Sequence, residues 1–583
     1  MSWLIRKYFY LFIALCILIT ASVKIPFDLG SSFFPAPLYA RYIIIYFILG
    51  GIATLLIGLI FLESQWPVHF FEKVSEVTEL YWITLMVVLA VVAPVLIRFF
   101  ILKNAPVVDD EFVYKFSAKL LAQGKLYGES QGILAPFFDH SFLYQGDKTY
   151  GYSTLGWPAL MLPGLVLKIP GYINSLYNGL TIIPIYLLVK KTVGSLYARV
   201  ISLVFITSPM IMIAAATSMS HTSCFMFLSW MVYFISETKV NSRKVNYFLS
   251  MMCFCIAFFI RPQAALPLAI PYLLFLLYQS FCSQRKLPIV AVTLIPAIFF
   301  GSLFLLINKV QTERYFTPAS VMSMHYRTTQ RIYRSTEKTK LPAIKLEFKN
   351  QILTTLAAII RMNFSMFGWP ISFIFLFFCG FDKYLWLPWS SLLTFYVMQS
   401  LGYDPGVDTF GPPHYFETIL PVLLLSAYGM KNLFDKKNLG KRSLLVIFCF
   451  FTLLNLCFYT PKSMVAIYMI QKDVNFIKNF VSDSKIRDGI IFVPLKFPSS
   501  HFCFSYPTKH FVYWRTHYST GYNDSVMFVN DLGLNMNKSL LDFYPGKAAY
   551  LLVGLESCHP ILLRLQYSKM VSAPNFRVIS YAA

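Results

Sequence analysis

Long apolar runs recur along most of the 583-residue chain, and short polar connections separate them. Runs of about 20 apolar residues cross the roughly 30 Å hydrocarbon core of a bilayer as α-helices, and window length gives roughly thirteen of them here. The first three cover about residues 8–23, 38–62 and 81–102, and the others centre near residues 182, 206, 229, 253, 273, 298, 372, 393, 424 and 451. The pattern predicts an all-α polytopic transmembrane protein.

The pattern changes after residue 460, where apolar and polar residues alternate as they do in strands. The segments IIFVPLKF and AAYLLVG are typical of strands, and NKSLLDFY between them is typical of a helix. We therefore predict a transmembrane domain over 1–460 and a small C-terminal α/β domain over 461–583. Within the first domain we expect extra N-terminal helices over 1–80, a large outer loop over 103–172 and a basic outer loop over 309–363.

Composition and charge agree with this class and orient the chain. Hydrophobic residues make up 57% and charged residues 13%, while the formal net charge is +23. In a membrane protein, excess Lys and Arg sets the orientation of the chain in the bilayer and contacts anionic lipid headgroups. We therefore do not infer nucleic-acid binding from the positive charge. Most of the basic connections fall on one face, which predicts that this face and the N-terminus are cytoplasmic. The 103–172 loop and the C-terminal domain then lie outside, on the periplasmic face of an inner membrane.

The cysteines divide by their surroundings. Eight of the ten lie in apolar stretches, where cysteine packs as a small hydrophobe. The other two, Cys503 and Cys558, lie in the polar C-terminal domain, and an oxidising compartment would allow them to pair.

Three consecutive carboxylates, in VVDDEFVYKF, follow the third span in a chain that has only 27 acidic residues. The structural interpretation is a helix start, with Asp109 as the cap and the acidic first turn at the positive end of the helix. An apolar stripe of Phe112, Phe116 and Leu120 follows, and it predicts a helix lying on the membrane surface.

The chemical interpretation rests on other ionisable groups that the topology places on the same outer face. Such groups beside apolar sequence are costly unless they are paired or used. They are His221, Arg261, Arg361 and His414. A carboxylate beside several cations suits a reaction in which a base deprotonates a hydroxyl while cations stabilise a departing phosphate.

Several ordered motifs carry a family resemblance. DDEFVYKFSAKLLAQGKLYGE and GYSTLGWPALMLPG resemble the first outer loop of GT-C membrane glycosyltransferases, in the group of protein O-mannosyltransferases and aminoarabinose transferases. SMSHTSCFMFLSWMVYF, FFIRPQAALPLAIPYLL, FGPPHYFETILPVLLLSAYG and NDSVMFVNDLGLNMNKSLLDFYPG continue the resemblance. It implies the GT-C fold and an inverting sugar transfer from a polyprenyl-phosphate-sugar to a lipid, glycan or protein acceptor, outside the membrane.

The resemblance also implies roles for single residues. The family's acidic pair falls on Asp110 and Glu111, which makes Asp110 the expected general base and Glu111 a positioning or acceptor-binding group. Relatives often have a Lys where this chain has Gly151, with Lys148 nearby, and an Arg where it has Pro413. Phosphate binding must therefore rest on other groups, and sidedness and charge favour Arg261, Arg361 and His414, with Arg327, Arg331 and Arg334 as a mobile clamp. His221, Glu417 and Tyr114 complete the expected substrate-binding residues.

Two further alternatives stay open at this stage. No cofactor is firmly implied, although Asp404 and Asp408 in YDPGVDTF could hold a divalent cation. A Pro-Gly turn with solvated carboxylates is the favoured explanation of that pair. The main functional alternative is a transporter or flippase of a lipid-linked glycan, which would share the spans and the basic outer groups. A glycan polymerase or ligase of another fold, or a scaffold, ranks below it.

Overall fold

A computed structural model of the protein describes most of the chain from residue 66 onward. The described stretches are 66–138, 142–238, 243–283, 286–323, 348–380, 385–401, 411–435, 440–494, 524–554, 560–567 and 576–580, together with residues 11, 14, 48, 50 and 52. The chain forms two compact units. Unit 1 comprises Met1–Lys103, Gly171–Ser302 and Ile344–Ile467, and unit 2 comprises Asn104–Pro170, Leu303–Ala343 and Tyr468–Ala583.

Helices dominate the described residues. In chain order they are α1 (Trp66–Glu76), α2 (Glu79–Leu96), α3 (Asp109–Ala122), α4 (Gly156–Leu160), α5 (Leu162–Val166), α6 (Ile173–Thr192), α7 (Ser195–Thr207), α8 (Pro209–Ala216), α9 (His221–Thr238), α10 (Lys244–Ile260), α11 (Pro262–Cys282), α12 (Lys286–Thr312), α13 (Phe348–Ser365), α14 (Trp386–Ser400), α15 (Ile419–Asp435), α16 (Gly440–Leu454), α17 (Thr460–Val474), α18 (Phe476–Asp483) and α19 (Leu534–Phe543). One-turn or two-turn π and 3-10 segments join some of them.

Several of these helices are long and apolar enough to cross a membrane. Among the described residues five qualify: Glu79–Ile101, Pro170–Thr192, Pro262–Cys282, Lys286–Thr312 and Leu445–Lys472. The pair α7 and α8, bent by 55° at Ser208, forms a sixth if it is one span. The predicted class, a helical multi-pass membrane protein, is confirmed. The predicted total of about thirteen spans stays a prediction, because the first two lie almost wholly outside the described residues.

The predicted span centred near residue 372 is wrong. Helix α13 ends at Ser365, turns follow, and only a five-residue 3-10 helix, Ile374–Phe378, occupies the apolar run. Gly368 takes a left-handed φ of +65°, which ends the helical path. Asn363 then holds the turn, since its backbone carbonyl accepts from the Ser372 N–H at 2.7 Å. A run of apolar residues indicates that a segment is buried, but it does not show whether the backbone stays helical along the run.

Unit 2 contains two sheets. The smaller one is antiparallel, with β3 (Lys148–Gly151) between β1 (Gly128–Glu129) and β2 (Leu143–Gln145). The larger one has the order β5-β4-β6-β7-β8, with parallel pairs among β5, β4 and β6 and antiparallel pairs beyond. Its strands are β4 (Gly489–Pro494), β5 (Val526–Asp531), β6 (Ala549–Val553), β7 (Ile561–Tyr567) and β8 (Phe576–Ser580). The strands predicted from IIFVPLKF and AAYLLVG and the helix predicted from NKSLLDFY are confirmed.

The prediction that α3 lies on the membrane surface is wrong. Its apolar stripe, Phe112, Phe116 and Leu120, is buried in one core with alternate residues of the large sheet, including Ile490 and Phe492. The intervening residues of β4 point to the opposite face of the sheet, where α18 covers them. The sequence separates α3 from its cover by more than 350 residues, so the stripe alone could not identify that cover. The helix that carries the acidic triplet therefore belongs to a soluble-type α/β core.

Some sequence-based predictions fall on residues outside the described stretches. They are the clamp Arg327, Arg331 and Arg334, the pair Asp404 and Asp408, and the cysteines Cys503 and Cys558. Among the described cysteines, Cys224, Cys253, Cys255 and Cys379 are free and buried, as predicted for small hydrophobes, whereas Cys449 is partly buried and Cys282 and Cys457 are exposed.

Candidate active site and buried ionic cluster

The acidic triplet forms the first turn of α3. Asp109 is not the helix cap, because the capping residue is Val108 and no side chain caps there. Glu111 reaches back instead, and its Oε1 accepts a hydrogen bond of 2.7 Å from the backbone N–H of Val107. One of the N–H groups at the start of the helix is thereby satisfied, and the negative charges lie at the positive end of the helix dipole.

Burial separates the three carboxylates. Asp109 is 6% exposed and Glu111 is 3% exposed, so both side chains face the protein interior. Asp110 is partly exposed. Of the triplet, Asp110 is therefore the carboxylate that a substrate can reach with the least rearrangement.

Tyr152 fixes the carboxylate of Asp110. Its phenol donates a hydrogen bond of 2.5 Å to Asp110 Oδ1. The tyrosine is itself held by Phe142, whose carbonyl accepts from the Tyr152 N–H at 3.0 Å and whose ring lies 5.0 Å from the tyrosine ring. Short hydrogen bonds to an ionised acceptor are among the stronger ones in proteins. The sequence alone did not identify Tyr152 as a site residue, although it lies in the motif GYSTLGWPALMLPG.

Gly151 explains why Tyr152 comes so close to α3. A Cβ atom at Gly151 would lie 2.6 Å from Ser117 Oγ and 2.7 Å from Val113 Cγ1, both on α3. Contacts under 3.0 Å require one partner to move, so the end of β3 can touch the helix only because the side chain is absent. The lysine of relatives at this place has no room in this packing.

Nearby polar groups of unit 2 are already engaged. Lys148 Nζ lies 3.1 Å from Glu313 Oε1, donates to the carbonyl of Val310 at 3.1 Å and lies 5.1 Å from the centre of the Tyr127 ring. Burial, followed by neighbouring negative groups, raises the pKa of Tyr150 well above its ordinary value. That phenol stays neutral at physiological pH and cannot serve as a base.

Unit 1 holds a separate buried ionic cluster around Glu417. Glu417 Oε1 lies 3.0 Å from Arg261 Nε and 3.2 Å from His221 Nδ1. His221 and Glu417 are fully buried, and Arg261 is 4% exposed. Three residues that the sequence analysis had chosen one at a time therefore meet at one carboxylate. A buried charge needs such a partner, because desolvation of an unpaired one is costly.

Each member of the cluster comes from a break between helices. His221 begins α9, Glu417 lies in the 3-10 helix Pro413–Thr418, and Arg261 lies between α10 and α11, where Pro262 starts the second helix. Arg261 also donates to Ser220 Oγ at 3.2 Å. At such breaks some backbone groups lack a partner within the helix, so polar side chains can gather there.

Donors from elsewhere in unit 1 hold the linker that precedes His221. Asn174 Nδ2 donates to the carbonyls of Thr217 at 2.9 Å and Met219 at 2.6 Å. Arg98 donates to the carbonyl of Ala216 at 2.9 Å. The linker is thus anchored on both sides of Thr217, which fixes where α9 and His221 begin.

The remaining predicted residues are placed as follows. His414 lies in the same 3-10 helix as Glu417, and its ring centre is 6.4 Å from that of His221. Arg361 is buried in α13 at 3% exposure, and Tyr114 is buried in α3 at 5%. Their roles in substrate binding stay predictions. Within the described part of the chain, no group of three or more His, Cys, Asp or Glu side chains could hold a metal ion.

Comparison with known proteins gives structural neighbours only. No protein-family model and no curated protein matches the sequence. The chain is similar to ArnT from Cupriavidus metallidurans in the apo state, with 12% identity, a TM-score of 0.49, and coverage of 80% of this chain and 93% of that chain. For the same protein bound to undecaprenyl phosphate, identity is 12%, the TM-score is 0.44, and coverage is 82% and 94%.

A more distant neighbour is the oligosaccharyltransferase of Archaeoglobus fulgidus in the apo form. Identity is 12%, the TM-score is 0.40, and coverage is 67% of this chain and 56% of that chain.

Proposed function

We propose that the protein is an inverting membrane glycosyltransferase with Asp110 as its general base. It moves a sugar from a polyprenyl-phosphate-sugar donor to an envelope acceptor on the outer face of the inner membrane. The observation that supports this most is the arrangement at the start of α3. Two of the three carboxylates are buried, while Asp110 is partly exposed and receives the Tyr152 phenol at 2.5 Å.

In the proposed reaction Asp110 accepts the proton of an acceptor hydroxyl as its oxygen attacks the anomeric carbon. The bond between that carbon and the phosphate oxygen breaks, and polyprenyl phosphate leaves with the bonding electron pair. Attack and departure on opposite faces invert the anomeric centre. Tyr152 holds the carboxylate in one orientation, which lowers the entropic cost of reaching the transition state.

Other residues have supporting roles in this proposal. Glu111 fixes the turn before α3 through its bond to Val107, so it positions Asp110 and does not itself react. Arg361 and His414 are the candidate phosphate-binding groups of unit 1, because a departing phosphate needs cationic or hydrogen-bonding partners. The N-terminus is proposed to be cytoplasmic and the C-terminal domain periplasmic.

The test is a comparison of envelope glycans. Glycans of a strain that lacks the protein are compared by mass spectrometry with those of its parent, after complementation with wild type, Asp110→Asn or Asp483→Asn. Asp483 is an exposed acid at the end of α18 and serves as the matched control. We expect one sugar to be missing from the deletion strain, to return with wild type and Asp483→Asn, and to stay missing with Asp110→Asn.

The same experiment addresses transport of a lipid-linked glycan. A transporter does not need a base for a hydroxyl proton, so Asp110→Asn would restore the glycan if the chain were a flippase. Full restoration by a variant expressed at the wild-type level would overturn the proposal. Unchanged glycans in the deletion strain would overturn it as well.

A further inference from the structure

Two fully buried acceptor atoms in the Glu417 cluster have no hydrogen-bond partner among the residues that the structure describes. They are Glu417 Oε2 and His221 Nε2, and both side chains have 0% exposure. Buried polar atoms in native proteins are almost always paired with protein, water or a ligand. Two open acceptors on neighbouring side chains therefore mark a place where a ligand would gain hydrogen bonds.

Both open atoms are hydrogen-bond acceptors. A carboxylate oxygen cannot donate, so the contact of 3.2 Å between Glu417 Oε1 and His221 Nδ1 requires the hydrogen on Nδ1. In the neutral ring Nε2 then carries a lone pair and accepts. Glu417 Oε2 accepts for the same reason as Oε1. A group that binds both atoms must therefore supply hydrogen-bond donors.

Charge points in the same direction. Arg261 and Glu417 form an ion pair of 3.0 Å, so their charges cancel. An ionised phosphate offers only acceptors and would meet the carboxylate as a like charge. A hydroxyl or amino group donates a hydrogen and tolerates the carboxylate. The two open acceptors are therefore suited to a hydroxyl or amino group and unsuited to an ionised phosphate.

We propose that Glu417 and His221 bind a hydroxyl or amino group of a sugar, and that Arg261 positions Glu417 for this contact. The identification of the ligand as a sugar rests on the proposed function, whereas the donor chemistry rests on the two open acceptors alone. Arg261 is then a positioning residue and does not bind the leaving phosphate. The anchored linker from Thr217 to Ser220 keeps His221 in place without ligand.

The experiment measures binding, independently of transfer. Full-length protein in lipid nanodiscs is examined by saturation-transfer difference NMR with methyl glycosides of glucose, galactose, mannose and arabinose, and with glucosamine and galactosamine. Inorganic phosphate is followed by 31P line broadening on the same samples. The variants are His221→Phe and Glu417→Gln. The control is His69→Phe, which alters an exposed histidine 3.4 Å from Glu72 in α1.

We expect at least one sugar to bind wild type, and its affinity to fall about tenfold or more in His221→Phe and Glu417→Gln, as when a buried hydrogen bond is removed. His69→Phe should bind that sugar as wild type does, and phosphate broadening should be the same in all samples. Binding of a neutral methyl glycoside would indicate a hydroxyl contact, and binding of glucosamine or galactosamine alone would indicate an amino contact.

Three results would overturn the inference. They are no binding of any panel sugar to wild type, sugar binding that survives His221→Phe, and loss of phosphate broadening in His221→Phe. If Glu417→Gln does not fold, His221→Phe decides alone. Because the proposed function is tested through Asp110 and glycan composition, it can stand while this inference fails, and the reverse is also true.

Discussion

The hydrogen bond from Tyr152 to Asp110 leads to a quantitative prediction. The substitution Tyr152→Phe removes the phenol but keeps the ring beside Phe142, so the packing at 5.0 Å between ring centres should survive. Hydrogen bonds to charged groups contribute about 1.5–3 kcal/mol. At about 1.36 kcal/mol for each factor of ten in rate, complete loss of orientation would slow transfer by about 10- to 150-fold. We expect a value near the lower end, because the backbone of α3 still holds the carboxylate.

The assay is the initial rate of sugar transfer by purified protein as a function of pH, with the lipid-linked donor that the glycan comparison identifies. Removing the phenol takes away the hydrogen bond that orients the carboxylate, so the rate should fall across the whole pH range in which wild type is active. Tyr144→Phe is the control, since its phenol bonds to Asp147 at 3.0 Å in the same small sheet. A Tyr152→Phe rate within about twofold of wild type would refute the reasoning.

Three further substitutions test the packing around the two sites, each by thermal unfolding in detergent and by transfer rate. Gly151→Ala forces a methyl group against α3 and should destabilise unit 2 by about 1–3 kcal/mol and slow transfer; an unchanged melting temperature would contradict the close approach. Phe116→Ala should cost about 3–5 kcal/mol because the ring is 1% exposed in the core, whereas a helix on the membrane surface would lose little. Asn174→Ala leaves two buried carbonyls without their donor and should cost about 1–3 kcal/mol for each, with weaker sugar binding; wild-type stability would show that water replaces the amide.

The start of α3 shows how far sequence reasoning reaches into the site. Local rules identified the helix, its acidic first turn and its apolar stripe correctly, because these depend on neighbours within a few positions. The prediction that Asp109 caps the helix was wrong, because Glu111 accepts from the Val107 N–H from inside the helix. The prediction that the apolar stripe faces lipid was also wrong. A period of 3.6 residues indicates that one face of a helix has an apolar partner, but it does not say whether that partner is lipid or a sheet.

The second site shows the opposite case. His221 and Arg261 were chosen for their charge beside apolar sequence, which identifies expensive residues but not their partners. Glu417 was named only among the expected substrate-binding residues. Their meeting at one carboxylate oxygen depends on three separate helix breaks, and no local pattern encodes that. Tyr152 was missed for a related reason. A tyrosine in a chain with 37 of them carries no signal until the fold brings it to Asp110.

The most direct measurement compares donor binding and single-turnover sugar transfer on the same preparations of wild type and Asp110→Asn. If Asp110 removes the acceptor proton, the variant should bind the lipid-linked donor as wild type does, while the rate of transfer falls by about 100- to 10,000-fold. Transfer by Asp110→Asn at a rate within a few fold of wild type would contradict a base at this position.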